Sequence, residues 1–600
     1  MTTTSIRDKI QKEYITKNLE NAKKINYTFL TEKDGYFTCF YKDLHDTEIK
    51  GYPIASDFVG ENNQVYSVDE FAALSKEDRE KCNLRFHYLP CTQEIYLGST
   101  GSGKTTGCVE PQLRAISSQK NKPNLFITDP KGELFDKNSD HLKKEGYKIL
   151  VLNFKDTLRS DKWNPLYELY DLKMSEKEIA KNALVHEGKP REDLRLTAGI
   201  EEFGETYIEC DGFAFPDEQI FEEYKRYLAD SIEIQISFLI SQMAYMMINP
   251  EHSKDPTWEF GAQNMLKGLF YCMLEDAINP ESGFTREMMT FKTLQHYYIA
   301  VKTPVLNEYS STTIYNHPLL KDKSKDTIAL FSVALDNAKG TMRCYCGVFD
   351  GAMKDWFQGH ILSLTINDTV KLDNLGDQPF AIFLITRDYE KSDFLIAGLF
   401  VDSMYRKMLI RAEKDMENGR TPRDMHFLLD EFGNIPKIND FENKISTARS
   451  RNIWFHLVLQ SYSQLENVYN PSVSQIIKDN CSQIFLGSTN SQTKEDFSRS
   501  CGRHCIERLS SILNPLESEI FETPLIPVSN LNEIKPGQLY TLRDKMPVIF
   551  SQYERSYICQ DQGAFADRKT AKGLKTNTPT LIESFSNPKY RYPALDKHFD

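Results

Sequence analysis

Eight consecutive residues, Gly98-Ser99-Thr100-Gly101-Ser102-Gly103-Lys104-Thr105, satisfy the pattern G-x-x-x-x-G-K-[ST] at every required position. Glycines let such a loop curl until successive backbone N–H groups point inward at phosphate oxygens. A helix starting at the end of the loop adds about half a positive charge. In this arrangement Lys104 reaches the β- and γ-phosphates of ATP, the Thr105 hydroxyl ligates Mg²⁺, and Thr106 is a candidate helper at the α-phosphate. The alternative is a chance glycine-rich turn. Context argues against it, because the loop directly follows the apolar run Ile95-Tyr96-Leu97 and precedes helix-compatible sequence.

Binding a triphosphate is not hydrolysing it; hydrolysis also needs a metal-orienting acid and a group that activates water. His426-Phe427-Leu428-Leu429 is an apolar strand that ends in Asp430-Glu431. Asp430 is suited to the Mg²⁺ shell and Glu431 to polarising the attacking water. Without the phosphate loop the same pair would simply open a solvated loop. Downstream, Ser446-Thr447-Ala448-Arg449-Ser450-Arg451 precedes a strand that ends at Gln460. Arg449 is either a surface residue or a group that neutralises γ-phosphate charge in the transition state of a neighbouring subunit. Gln460 is placed to sense the γ-phosphate or position water. Asp129-Pro130-Lys131-Gly132-Glu133 also follows a strand. It either borders the nucleotide or is only a turn.

The elements that must hold these groups are legible as short apolar runs. Ile95-Tyr96-Leu97, Leu125-Phe126-Ile127 and Ile149-Leu150-Val151-Leu152 are too short and too β-rich for helices, and read as buried parallel strands. Strand-like runs resume at Phe380–Ile385, His426–Leu429, Trp454–Leu459 and Ile484–Leu486. Between the two sets the period becomes 3.6: Ile220, Tyr224, Leu228, Ile232, Ile236, Met243 and Met247 share one helical face. Trp258, Ala262, Leu266, Leu269 and Met273 form a second stripe, and Phe394, Ala397, Val401, Met404 and Met408 a third. The expected architecture is an α/β nucleotide-binding fold with a mostly parallel sheet, residues 91–165 and 341–560, interrupted by an inserted helical domain over 166–340. Residues 1–90 read as a small α+β region, and 561–600 as a polar, flexible tail.

Net charge is −13, which excludes a uniformly basic nucleic-acid coat but not a local basic channel. The tail's Arg568, Lys569, Lys572 and Lys575 are a weak candidate for DNA or partner contact, a solvated end being the plainer reading. No stretch approaches the ~18 unbroken apolar residues of a membrane span. The opening residues lack the apolar core of a signal peptide. A soluble chain is expected. Twelve scattered cysteines suit reduced thiols better than a disulfide framework. Cys344 and Cys346 would share one face of an expected strand and Cys501 and Cys505 have zinc-ligand spacing, but the two pairs lie far apart in sequence and ordinary thiols are the plainer reading.

Taken together, these segments carry a resemblance. The chain resembles the type IV secretion coupling proteins, the TraG-like ATPases of bacterial conjugation. The resemblance rests on the phosphate loop, Asp129–Glu133, Lys162-Trp163-Asn164-Pro165-Leu166, the run from Leu428 to Pro436, Ser446–Arg451, Leu459-Gln460-Ser461, Asp479-Asn480-Cys481 and Ile484–Gly487. It implies a RecA-like motor domain carrying an all-α domain and a homo-hexameric ring. Such a ring uses ATP and Mg²⁺ to move DNA and brings a relaxase–DNA complex to the secretion channel. It implies that Arg449 acts in trans and that Gln460 is a second γ-phosphate contact. The family usually carries N-terminal transmembrane helices, and this chain shows none. The expectation is either a cytoplasmic protein, peripheral at the inner face of the membrane and docked to a separately encoded membrane partner, or a chain whose role has drifted from channel coupling. Two other functional classes stand beside this one: a substrate-receptor platform with ATP as a conformational switch, and a hexameric packaging or helicase-like motor.

Overall fold

The computed structural model describes residues 32–552 except 67, 192, 197–202, 251–254, 308–316, 318, 338, 373–377, 388–389, 416–418, 436, 439, 512–513, 536–537, 545 and 547. The polar tail 561–600 with its basic cluster, and the charged opening of the chain, lie outside the described residues. The chain divides into two compact units. Among the described residues, one holds those up to Ser160 and those from Lys371 onward, and the other those of Asp161–Val370.

The first unit is organised on a nine-stranded sheet. Its strands, labelled in chain order, are β1 (Gln93–Gly98), β2 (Asn124–Thr128), β3 (Lys148–Asn153), β4 (Phe380–Ile385), β5 (Met425–Leu429), β6 (Ile453–Leu459), β7 (Cys481–Gly487), β8 (Gln538–Leu542) and β9 (Ile549–Gln552). Their spatial order is β9-β8-β7-β1-β6-β5-β2-β4-β3. From β7 to β3 every neighbouring pair is parallel; β8 and β9 add an antiparallel edge. All the strand-like runs of the sequence lie in this sheet, whereas β8 and β9, short and mixed in character, gave no comparable signal.

The central strands are rich in buried apolar residues because both faces are covered. Leu125 and Ile127 of β2 pack on one side with Phe383, Leu428 and Val458. Phe126, between them, turns to the other side, stacks on Phe400 with centroids 5.4 Å apart and packs at a tilt against Phe427 at 5.6 Å. Phe427 continues to Phe455 at 4.9 Å, and Phe455 meets Phe441 edge-on at 5.1 Å. Phe394, Ala397, Val401, Met404 and Met408 are all buried on the helix Lys391–Asp415. A parallel sheet places every strand's carboxyl end on one edge. The loops after β1, β2 and β5 therefore open on the same side.

Before β1, a small antiparallel sheet runs Phe37–Phe40, Asn83–Leu89, Tyr52–Val59, Val65–Tyr66 in spatial order, so this region is α+β. After β7, a two-stranded hairpin joins Arg503–Ser511 to Asn514–Pro524.

The second unit is mostly helical and enters the sequence between β3 and β4, which are themselves hydrogen-bonded neighbours. Its central helix, Thr257–Ile278, buries Ala262, Leu266, Leu269 and Met273 as the stripe requires, and Trp258 packs at a tilt against Tyr345 with centroids 4.9 Å apart. In the helix Glu218–Met247 the stripe is buried from Ile236 onward, while Tyr224, Leu228 and Ile232 are only half-covered. The helical unit also carries a small four-stranded sheet, ordered Leu184–Glu187, Thr206–Cys210, Phe213–Phe215, Arg195–Leu196. Its strands are too short and polar to stand out in sequence. Residue 340, where the sequence put the end of the insertion, lies in the helix Lys339–Met353, within a unit that runs to Val370.

That helix also corrects the reading of Cys344 and Cys346 as one face of a strand. Two residues apart on a helix is about 200° of rotation, and Cys344 is exposed whereas Cys346 is buried. Cys501 and Cys505 split in the same way, and every cysteine among the described residues is a free thiol.

Glycines in the helical unit give opposite expectations. A Cβ on Gly268 would lie 2.5 Å from Phe331 Cε2, whereas one on Gly347 would meet nothing within 4 Å. Gly268→Ala should destabilise the protein by about 1–3 kcal/mol through overpacking. Gly347→Ala should stabilise it by up to ~1 kcal/mol through helix propensity. Urea unfolding of the two variants checks both signs.

Candidate functional site

The phosphate loop begins where β1 ends. Gly98 is required sterically: a Cβ there would lie 2.4 Å from Ser102 Oγ and 2.7 Å from Lys104 Cγ. Gly101 and Gly103 take φ of +82° and +86°, the left-handed region that glycine enters without strain. The loop is braced by the neighbouring strand, since Ser99 N–H donates to the Gly487 carbonyl at 2.9 Å. Thr489 N–H donates in turn to Ser99 Oγ at 2.7 Å. Sequence reasoning missed Thr489, 390 residues from its partner, and no local signal could have found it. Thr100 is exposed at the loop's tip, and Thr105 opens a π-helical turn, Thr105–Val109, that leads into the helix Glu110–Ser117. The side chain of Thr106 lies outside what the structure describes.

Lys104 is buried, and its Nζ donates to the Gly98 carbonyl at 2.5 Å. Burial pulls its pKa down, while Glu431 and Asp430 push it back up and Lys131 opposes them. Asp430 shows the reciprocal effect. Burial, helped by the Glu431 charge, raises its carboxyl to about 6 against the pull of Lys104, the Glu431 amide and Lys131. The phosphate-loop lysine and the acidic pair at the end of β5, more than 300 residues apart in sequence, thus share one electrostatic site.

Several groups shape the acidic end. Glu431 N–H closes on Asp430 Oδ1 at 3.0 Å, and Thr128 Oγ1 donates to the Asp430 carbonyl at 2.8 Å. Glu431 sits at φ +55°, a left-handed conformation that costs a non-glycine residue free energy and turns the chain sharply off the strand. Gln460, just past β6, donates from Nε2 to Glu431 Oε2 at 3.2 Å, and Asn434 Nδ2 reaches the same oxygen at 3.4 Å. Gln460 and Glu431 are therefore together; Asn434 was not foreseen.

The segment after β2 divides between its two readings. Both oxygens of Asp129 accept backbone N–H bonds, from Gly132 at 2.9 Å and Phe135 at 2.8 Å, so Asp129 builds the turn into the helix Glu133–Lys144. Burial lifts its carboxyl to about 7 against the pull of those amides, and Asp430 adds to the rise. Lys131 is exposed and acts electrostatically on both Lys104 and Asp430, so it borders the site.

Arg449 is elsewhere. It is exposed on the turn Arg449–Arg451 at the amino end of β6, while Gln460 follows the carboxyl end. The strand between them is roughly 20 Å long. Within one chain Arg449 is thus set at the opposite edge of the sheet from the phosphate loop.

The residues present fit a magnesium–nucleoside triphosphate. Ser102 Oγ is buried in the loop with no hydrogen-bond partner. A buried ammonium, a carboxylate beside it and the half-buried Thr105 hydroxyl complete the donor set of such a site.

A sequence model of the family described as "Type IV secretory system Conjugative DNA transfer" matches residues 80–559. The chain belongs to that family. Among curated relatives, VirD4 of Rhizobium rhizogenes is 18% identical over 290 residues, covering 48% of this chain and 42% of the relative. The chain thus spans less than half the length of that VirD4 protein. An uncharacterised Bacillus anthracis protein is 42% identical over 66 residues, 11% of this chain and 24% of that protein. Among solved structures, the plasmid coupling protein TrwB in complex with ADP and Mg²⁺ is 14% identical, with a TM-score of 0.49 covering 86% of this chain and 97% of that one. For this member of the conjugative DNA transfer family, no helix among the described residues is long and apolar enough to cross a membrane.

The raised Asp430 carboxyl makes a signed prediction. A carboxyl whose folded pKa of about 6 exceeds its unfolded value favours the folded state while protonated. That stability is lost as pH rises from ~4 through ~6. Ligand-free Asp430→Asn should match wild type near pH 4 and exceed it by about 1–3 kcal/mol above pH 6.5. Adding magnesium and ATP should reverse the order by stabilising wild type selectively. Thermal unfolding across this pH range, with and without ligand, is the check.

Proposed function

We propose that this chain is the ATP-hydrolysing coupling protein of a conjugative type IV secretion system, a homo-hexameric ring that receives a relaxase–DNA complex and drives DNA to the channel. The observation that carries the reading is the electrostatic proximity of buried Lys104 to Asp430 and Glu431. A lysine in a glycine-rich loop and an acidic strand end close together are what a hydrolytic phosphate site requires. Membership of the conjugative DNA transfer family supports the cargo.

In this reading the loop amides and Lys104 hold the β- and γ-phosphoryl groups, and Ser102 donates its buried hydroxyl to a phosphate oxygen. Thr105 and Asp430 would hold Mg²⁺, which would supply charge neutralisation for the β- and γ-phosphoryl groups. Glu431 orients the attacking water and takes its proton, and Gln460 fixes the Glu431 carboxylate while lying within reach of the γ-phosphate. Arg449 serves the site of the adjacent subunit, consistent with its distance from its own. The protein works at the inner face of the cell membrane, joined to components of the secretion channel.

Turnover per subunit should rise with protein concentration as rings form, and rise again with saturating DNA. Turnover independent of both would remove the motor reading. For Arg449, Arg449→Ala should lower turnover by about 10³-fold or more with nucleotide affinity kept. Mixing Arg449→Ala with Lys104→Ala subunits should restore part of the activity. A mixture no more active than its components would return Arg449 to the surface.

A further inference from the structure

At the edge of the sheet opposite the phosphate loop, β1, β5 and β6 begin around a buried polar cluster that the nucleotide chemistry does not use. His456 Nδ1 lies 2.8 Å from Glu94 Oε2, and His456 Nε2 lies 2.8 Å from His426 Nδ1. All three side chains are buried. One proton arrangement satisfies both contacts with neutral rings. His456 donates from Nδ1 to the Glu94 carboxylate and accepts at Nε2 from the N–H of His426 Nδ1. Tyr52 stacks over both rings, with centroids 5.5 Å and 4.5 Å away, and fixes their planes.

This relay leaves the Nε2 lone pair of His426 without a hydrogen bond among the described residues. The ring lies beside two other metal-ligand types. One donor atom each of Cys91, Asp424 and His426 lies within 4.8 Å of the other two. Among the described residues, no other group of three or more His, Cys, Asp or Glu side chains converges in this way. Tetrahedral ligands 2.0–2.3 Å from a zinc ion stand about 3.3–3.8 Å apart, so closing the site needs movements of ~1 Å.

We propose that Cys91, Asp424 and His426 form a Zn²⁺ site that clips the start of β1 to the start of β5 across β6. Three arguments meet here. The donor set of thiolate, imidazole and carboxylate suits zinc rather than Mg²⁺ or Ca²⁺, which take oxygen ligands. The charges balance: binding releases the Cys91 thiol proton, and one thiolate plus one carboxylate neutralise the dication. The outer shell is also already built, since a metal-bound histidine normally donates its other ring N–H to an acceptor, here His456 backed by Glu94. Entry is open through a cleft lined by Cys91, Asp424, Trp454, Arg420 and Arg449, from which water supplies the fourth ligand. Arg543 fixes the approach by donating to the carbonyl of Pro90, next to Cys91.

The test uses the full-length chain, stripped with a chelator and titrated with Co²⁺ as a spectroscopic stand-in for zinc. One equivalent should bind and give a thiolate-to-cobalt charge-transfer band. That band should vanish in Cys91→Ser and persist in Cys505→Ser. His456→Gln, which removes only the outer partner, should weaken binding by about 10–100-fold with the band retained. A Co²⁺ complex without the band, or a band that survives Cys91→Ser, overturns the proposal. Should Cys91→Ser fail to fold, zinc-edge X-ray absorption on the zinc-loaded wild type decides. One sulfur at about 2.3 Å with nitrogen or oxygen at about 2.0–2.2 Å supports the site. A shell with no sulfur, or a wild type that retains no zinc, overturns it.

Discussion

Lys104 is a buried cation whose charge is sustained mainly by two carboxylates on another strand. Much of the first unit can be understood as what is needed to keep that arrangement in place. A buried ammonium without partners would hold its proton less tightly, and the half-buried Asp430 without Lys104 would be driven still further toward its neutral form. Each makes the other's charged state tolerable. Their meeting depends on β1 and β5 running parallel with only β6 between them, so that both carboxyl ends open on one edge.

That dependence explains the weight of the core beneath the site. Strands covered on both faces, with Phe126, Phe427 and Phe455 packed in a row along one side, lose about 1.5–3 kcal/mol for each large apolar side chain uncovered. A register slip would move those rings to the other face and displace the acidic pair relative to the loop. The site itself departs from local comfort. Glu431 is left-handed without being glycine, Gly98 has no room for a Cβ, and Ser102 keeps a buried hydroxyl without a partner. Such departures persist where the surrounding fold over-determines them, and they cluster where a ligand is bound.

How much of this was readable beforehand follows the range of each interaction. The phosphate loop is set by contiguous residues, and the apolar strands by their composition, so both are legible. Gln460 beside Glu431 was suggested by each residue following a strand. The bracing of Ser99 by Thr489 and the contact of Thr128 with Asp430 depend on which strands become neighbours, and strand order is not written in any local pattern. The strand β8, the sheet inside the helical unit and the true end of that unit were missed for a related reason. Short polar strands gain their stability from partners rather than from periodicity. Cys344 and Cys346 were misjudged because a two-residue spacing reads as one face on a strand and as opposite faces on a helix.

The most direct test is a structure of the chain bound to Mg²⁺ and a non-hydrolysable ATP analogue. Lys104 Nζ should hydrogen-bond the β- and γ-phosphoryl oxygens, with Mg²⁺ held by the Thr105 hydroxyl and by Asp430 directly or through one water. A nucleotide seated away from Lys104, or a metal with no path to Asp430, would contradict the account.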